Sequence, residues 1–199
     1  MINSVKPNLI VSDSRGAWFR ATILFILALI GTVGMWSVVV FIPDIEKEFG
    51  LDRGTSSLLY AFTMIGFGFG TVVIGKVYDK FGIKKPILLA TFVLITSYYF
   101  YSIFPFYWQF LILQFFMGFA ASAFFGPAMA DISNFFNKQR GFALSIVASA
   151  NYVAGATWPL LIGYFLTFID WRAAHFWISI CLFIMIPLIL LLKNASVDE

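Results

Sequence analysis

From Ala21 to Ile42 the sequence reads ATILFILALIGTVGMWSVVVFI, with no charged side chain on any face. A bilayer core about 30 Å thick takes roughly 20 apolar residues per helical crossing. Five further stretches meet that requirement: Ser56–Ile74, Pro86–Phe104, Tyr107–Ala130, Phe142–Ile169 and Ala173–Leu192. None alternates apolar and polar residues at every second position, which excludes the strands of a membrane barrel. Hydrophobic residues make up 61% of the chain and charged residues 12%, outside the range of soluble domains. The sequence predicts an all-α membrane protein of six transmembrane helices. Residues 1–20 form an amino-terminal segment, 21–192 the bundle and 193–199 a tail.

The Lys and Arg residues orient the bundle, because positively charged loops stay on the cytoplasmic side. With both termini cytoplasmic, the inner segments hold Lys6, Arg15, Arg20, Lys76, Lys80, Lys84, Lys85, Lys138, Arg140 and Lys193. The outer loops hold only Lys47, Arg53 and Arg172. The net charge of +3 is therefore spent on topology and leaves no basic face for nucleic acid. A plasma membrane or bacterial inner membrane is the expected location.

The first apolar run is too long for a signal-peptide core and has no A-x-A site after it, so it is expected to stay as a helix. Cys181 is the single cysteine and lies in the sixth stretch, where it reads as packing; no disulfide or zinc site is available to it. The short loops leave no room for a second domain. No metalloprotease motif, nucleophile elbow or pair of intramembrane carboxylates is present. The cluster GFGFG has no Lys-Ser/Thr after it, and Gly66 and Gly70 within it read as a helix-packing face. No enzyme activity, cofactor or metal is implied.

Sliding the chain along itself brings Gly31 onto Gly118, Asp44 onto Asp131, Ile45 onto Ile132, Phe49 onto Phe136, Arg53 onto Arg140 and Gly54 onto Gly141. The shared string, DIxxxFxxxRG, links helices one and two in one copy and helices four and five in the other. Three crossings separate the copies, and an odd number inverts the unit. This is the pattern of an inverted repeat of three plus three helices.

Between the second and third stretches lies GKVYDKFGIKK, Gly75 to Lys85. It resembles the loop signature of the major facilitator superfamily, G-x-L-x-D-R-x-G-R-[KR]. Gly75, Asp79, the basic Lys80, Gly82 and Lys84 match, while Val77 stands for the usual Leu and Ile83 for a usual Arg. The resemblance implies half of a twelve-helix facilitator fold, with this loop latching the two halves together when the transporter faces outward. Gly75 would allow a close helix approach, Gly82 a turn with positive φ, and Asp79 charge-assisted hydrogen bonds. The fifth stretch, RGFALSIVASANYVAGATWPLLIGYFLTFIDWR, spaces Val147, Asn151, Gly155, Pro159 and Gly163 every four residues. Small residues at that spacing pack helices closely, and Pro159 bends the helix. This helix and the first resemble those of monocarboxylate-type facilitators, which implies transport of a small solute of the organic-anion class.

In QFFMGFA, Gln114 stands where many proton-coupled facilitators carry a buried Arg. A counter-charge for an anion would then come from a second half, or from Arg20, Arg172 or His175 near the interfaces. His175, the only histidine, reads as structural or interfacial at the outer end of helix six. The resemblance implies that helices one and four face the central cavity and that helices two and five lie at the seam between halves, so candidates are polar or aromatic residues near mid-membrane on those four. The candidates are Trp36, Ser37, Tyr60, Gln114, Asn151, Tyr152 and Trp158, with Gln114 and Asn151 foremost because an unpaired amide in hydrocarbon costs several kcal/mol. An interhelical hydrogen bond would satisfy either amide equally well. Six helices in place of twelve leave three readings open: a split or truncated half completed by a second chain, a homodimer enclosing the path, or a membrane interaction protein whose seam docks another transporter. Membrane lipid is a partner in all three.

Overall fold

The structure, a computed structural model, describes residues 9–10, 12–192 and 196–197, with side chains from 12 to 192. Lys6 and Lys193, two of the cations assigned to the inner side, lie outside the described residues, as does most of 193–199. The first span, Arg15–Phe49, consists of α1 (Arg15–Gly31) and α2 (Val33–Phe49). The second and third are the helices α3 (Arg53–Phe81) and α4 (Lys84–Ile103). The fourth runs through α5 (Tyr107–Ala121), a 3-10 turn at Ser122–Phe124, and α6 (Gly126–Phe135). The fifth is α7 (Arg140–Phe165). The sixth is α8 (Trp171–Cys181), a second 3-10 turn at Leu182–Ile184, and α9 (Met185–Leu191). Each span is long and apolar enough to cross a bilayer. The chain is an integral, multi-pass membrane protein.

The helices extend past the apolar stretches because polar caps finish them. Ser14, Asp52 and Asp170 accept backbone N–H groups at the starts of α1, α3 and α8. Gly50 and Gly82 follow α2 and α3 with φ of 62° and 72°, a region where a Cβ is costly. Span four continues to Phe135 where the apolar run ends at Ala130, so Asp131 becomes a helical residue.

Leu9–Ile10 pairs in parallel with Ser196–Val197, which puts the first and last described segments at one end of the bundle. Asp13 lies there too, against the turn between spans four and five. At the opposite end Glu48, Trp171, Arg172 and the Phe104 carbonyl meet. The two copies of DIxxxFxxxRG thus occupy opposite ends, with Ile45 and Ile132 both fully buried.

Glycines hold spans two and four together. A Cβ on Gly66 would overlap the Phe115 carbonyl, one on Gly118 the Thr63 carbonyl, and one on Gly70 would lie 2.7 Å from the Phe119 carbonyl. Water-driven burial does not bind helices in lipid, so such close backbone approach supplies the cohesion. Spans three and six pack around rings: Tyr101 lies between Phe110 and His175, each at a 4.4 Å centroid distance, and Phe41 sits 4.0 Å from His175. His175 is thereby enclosed in the bundle, its Nδ1 2.7 Å from the Trp171 carbonyl oxygen.

Candidate functional site

Spans one and four are both interrupted near their middles. Thr32 leaves helical geometry with φ −89° and ψ 6°, and its hydroxyl donates to the Ala28 carbonyl at 2.8 Å. In span four, Ser122–Phe124 tightens to 3-10 geometry and Phe125 follows with φ −110° and ψ −76°. The interruptions touch, because a Cβ on Gly31 would overlap the Phe124 ring. A helix end leaves its last carbonyls without intrahelical donors. At the end of α1 the Leu29 carbonyl accepts from Trp158 Nε1 at 2.7 Å.

Trp158 belongs to one stripe of α7. Asn151, Gly155 and Trp158 recur at helical spacing, and all three meet the first span. Asn151 Oδ1 accepts from Trp36 Nε1 at 3.1 Å, and a Cβ on Gly155 would sit 3.1 Å from the Trp36 ring. The structure thus brings Trp36, Asn151, Gly155 and Trp158 together at a half-buried seam. Tyr152 is exposed on the adjacent face, and Tyr60 is exposed on α3. Pro159 follows Trp158 inside α7, and Gly163 faces open space.

Ser37 and Gln114 stand elsewhere. Ser37 Oγ lies 2.7 Å from the Tyr98 hydroxyl inside the bundle. Gln114 is buried, its Oε1 accepting from Thr63 Oγ1 at 2.8 Å and its Nε2 donating to the Tyr101 hydroxyl at 3.3 Å. Its amide therefore joins spans two, three and four, away from the Trp36 seam.

The loop after α3 lies at the end that carries the described termini. Gly82 takes up the positive φ given above, whereas Gly75 has nothing within 4 Å of a notional Cβ. The neighbour that Gly75 would admit is not among the described residues. Asp79, Lys80 and Lys84 form no ion pair among the described residues, and Asp79 and Lys80 are exposed.

Beneath this loop lies a pair that sequence reasoning missed. Arg20 Nε and Nη2 donate to the Asp131 carboxylate at 2.6 and 2.8 Å, and both residues are buried. The Arg20 guanidinium also lies over the Phe135 ring at 4.5 Å. The one sequence signal was the place of Asp131 in the repeated string. Next to it, Asp13 accepts from the backbone N–H groups of Lys138, Gln139 and Asn137 at 3.0, 3.1 and 3.3 Å. These bonds, that from Lys138 foremost, hold the Asp13 carboxyl below the ordinary carboxylate range. The other two candidate counter-charges are likewise engaged: Arg172 Nη2 donates to Glu48 at 2.6 Å, and His175 is enclosed by rings.

Comparison with known proteins is in keeping with this architecture. Residues 24–198 match the family model of the Major Facilitator Superfamily. An MFS transporter of Aspergillus flavus, asaE, is 31% identical over 105 residues, covering 52% of this chain and 23% of that protein. The agnestins efflux protein AgnL12 of Paecilomyces divaricatus is 26% identical over 156 residues, 75% of this chain and 35% of its own length. The inner membrane transport protein YnfM of Escherichia coli is 23% identical over 172 residues, 85% of this chain and 41% of its own length. The chain thus spans less than half the length of these relatives. A match over almost the whole bundle, on six spans with touching breaks in the first and fourth, means that the chain belongs to the Major Facilitator Superfamily.

Proposed function

We propose that this chain forms half of a solute transporter working by alternating access, with its lysine-rich end cytoplasmic and Trp36, Asn151 and Trp158 facing the solute path. The observation that carries the reading is the pair of mid-span breaks in spans one and four, packed against each other. Broken helices are tolerated at membrane depth where they are buried in protein or line a cavity, and transporters build midplane sites beside them. Here Thr32 and Ser122–Phe124 are buried, and the Leu29 carbonyl at the first break is met by Trp158 of the seam. The second half is a separate six-helix chain, a continuation of this one, or a second copy. The solute is a small organic molecule met by two indoles and an amide. An organic anion would draw its counter-charge from the second half, since Arg20 and Arg172 are held by carboxylates and His175 by rings.

The test is aqueous access to the seam in the assembled transporter. In a Cys181→Ser background, Asn151→Cys should react with a membrane-impermeant maleimide, and Leu190→Cys, on an exposed face of α9, should not. Labelling of Asn151→Cys no faster than of Leu190→Cys would reject the cavity. It would favour the other reading of the exposed α3 and α7 faces, a membrane interaction partner.

A further inference from the structure

Between spans three and six a groove of about 520 Å³ opens along the outside of the bundle. Leu88, Leu89, Phe92 and Ile95 of α4 line one wall, and Phe183 and Ile186 line the other. One charged side chain, Lys85, stands at its mouth, at the lysine-rich end. The Lys85 ammonium lies 4.4 Å from the centre of the Phe81 ring, and that of Lys80 lies 5.3 Å from the same centre. The two like charges are therefore within about a Debye length of each other. Neither is in an ion pair among the described residues. An apolar channel with two cations at one end that pair with no carboxylate among the described residues is complementary to an amphiphile with a long hydrocarbon tail and a negative head.

We propose that this groove holds an anionic phospholipid, its acyl chain along Leu88, Phe92 and Phe183 and its phosphate between Lys80 and Lys85. Basic pockets between membrane helices bind acidic headgroups through the charges that juxtamembrane lysines supply. A second groove, of about 420 Å³ between spans five and six, makes the contrast. Trp158, Phe165, Trp177 and Cys181 are among its lining, and none of the described residues that line it is charged. That groove offers a lipid tail no reason to prefer one headgroup, whereas the groove at Lys85 selects.

The probe is native mass spectrometry of the purified chain, released from detergent after incubation with phosphatidylglycerol or phosphatidylcholine of identical acyl chains. One phosphatidylglycerol should be retained in preference to phosphatidylcholine by about five- to thirtyfold, the contribution of one to two lysines. Lys80→Gln with Lys85→Gln should abolish the preference, and Lys80→Arg with Lys85→Arg should keep it. Leu89→Trp, which fills the channel, should lower retention of both lipids. Equal retention by the unmodified chain, or retention of neither lipid, overturns the proposal. A preference that survives the Gln pair, or lipid binding undiminished by Leu89→Trp, also overturns it. Because both lysines are exposed, the Gln variants remain folded, which an unchanged thermal unfolding curve verifies.

Discussion

Arg20 and Asp131 lie 111 residues apart and meet in a two-pronged ion pair shielded from solvent. Such a pair is costly to bury and more costly to break, because removing one partner strands the other charge. Arg20→Met should therefore destabilise the bundle by about 3–5 kcal/mol. Combining it with Asp131→Leu should recover much of that loss, as the Asp131 carboxylate is then no longer stranded. Equilibrium unfolding in mixed micelles reads both, and a single variant within about 0.5 kcal/mol of the parent would show that water already screens the site. Neither residue announces this in the sequence. Arg20 reads as one more inner-side cation, and Asp131 falls one position beyond the apolar stretch that ends at Ala130. Pairing at such separation is a property of the packed spans and leaves no local trace. Gln114 shows the same limit: its amide is legible as costly, but its partners Thr63 and Tyr101 lie on two other helices.

At the scale of helices, what could be read was length and apolar content. The six stretches fall within the six spans apart from a few terminal residues, because the bilayer sets the number of residues per crossing. Direction of facing was far less legible, since a helix apolar all round has no polar face to mark its outside. The break at Thr32 is hidden for the same reason, as GTVG in an apolar run looks like packing. Gly126 and Pro127 open α6, but they sit inside a run that reads as continuous. Glycine spacing was informative only in part. Gly66 and Gly118 press backbone against backbone, whereas Gly163, at the same spacing as Gly155, faces open space. Gly66→Ala and Gly118→Ala should each cost about 1–3 kcal/mol by overpacking spans two and four. Gly163→Ala should be neutral or gain up to about 1 kcal/mol from helix propensity. Thermal unfolding of the three variants in one detergent checks the order, and equal effects would mean that the spans two and four contact relaxes freely.

For the whole molecule, the least covered spans are the second and the fifth. Phe142, Tyr152, Leu160 and Tyr164 are all more than half exposed along α7, and Ile65, Phe69 and Val72 along α3. α7 carries Asn151 and Trp158 of the seam, and in the proposed assembly these two helices offer the surface on which a second half would close the path. The loop signature lies at one end of that surface, and its Asp79 carboxylate has no ion-pair partner among the described residues. In the proposed assembly a carboxylate in that position would accept charge-assisted hydrogen bonds from the second half in one state of the cycle and lose them in the other. Each such bond is worth about 1.5–3 kcal/mol, enough to shift a two-state equilibrium about tenfold or more. Asp79→Asn keeps the shape and removes the charge, so insertion and thermal stability of the chain should be unchanged. The assembled transporter should instead spend less time facing outward. Maleimide labelling of Asn151→Cys from the outer side should then slow by about tenfold, with the rate from the inner side equal or higher. If labelling from both sides is the same with Asp79 and with Asn at that position, the loop latches nothing, and its lysines serve topology alone.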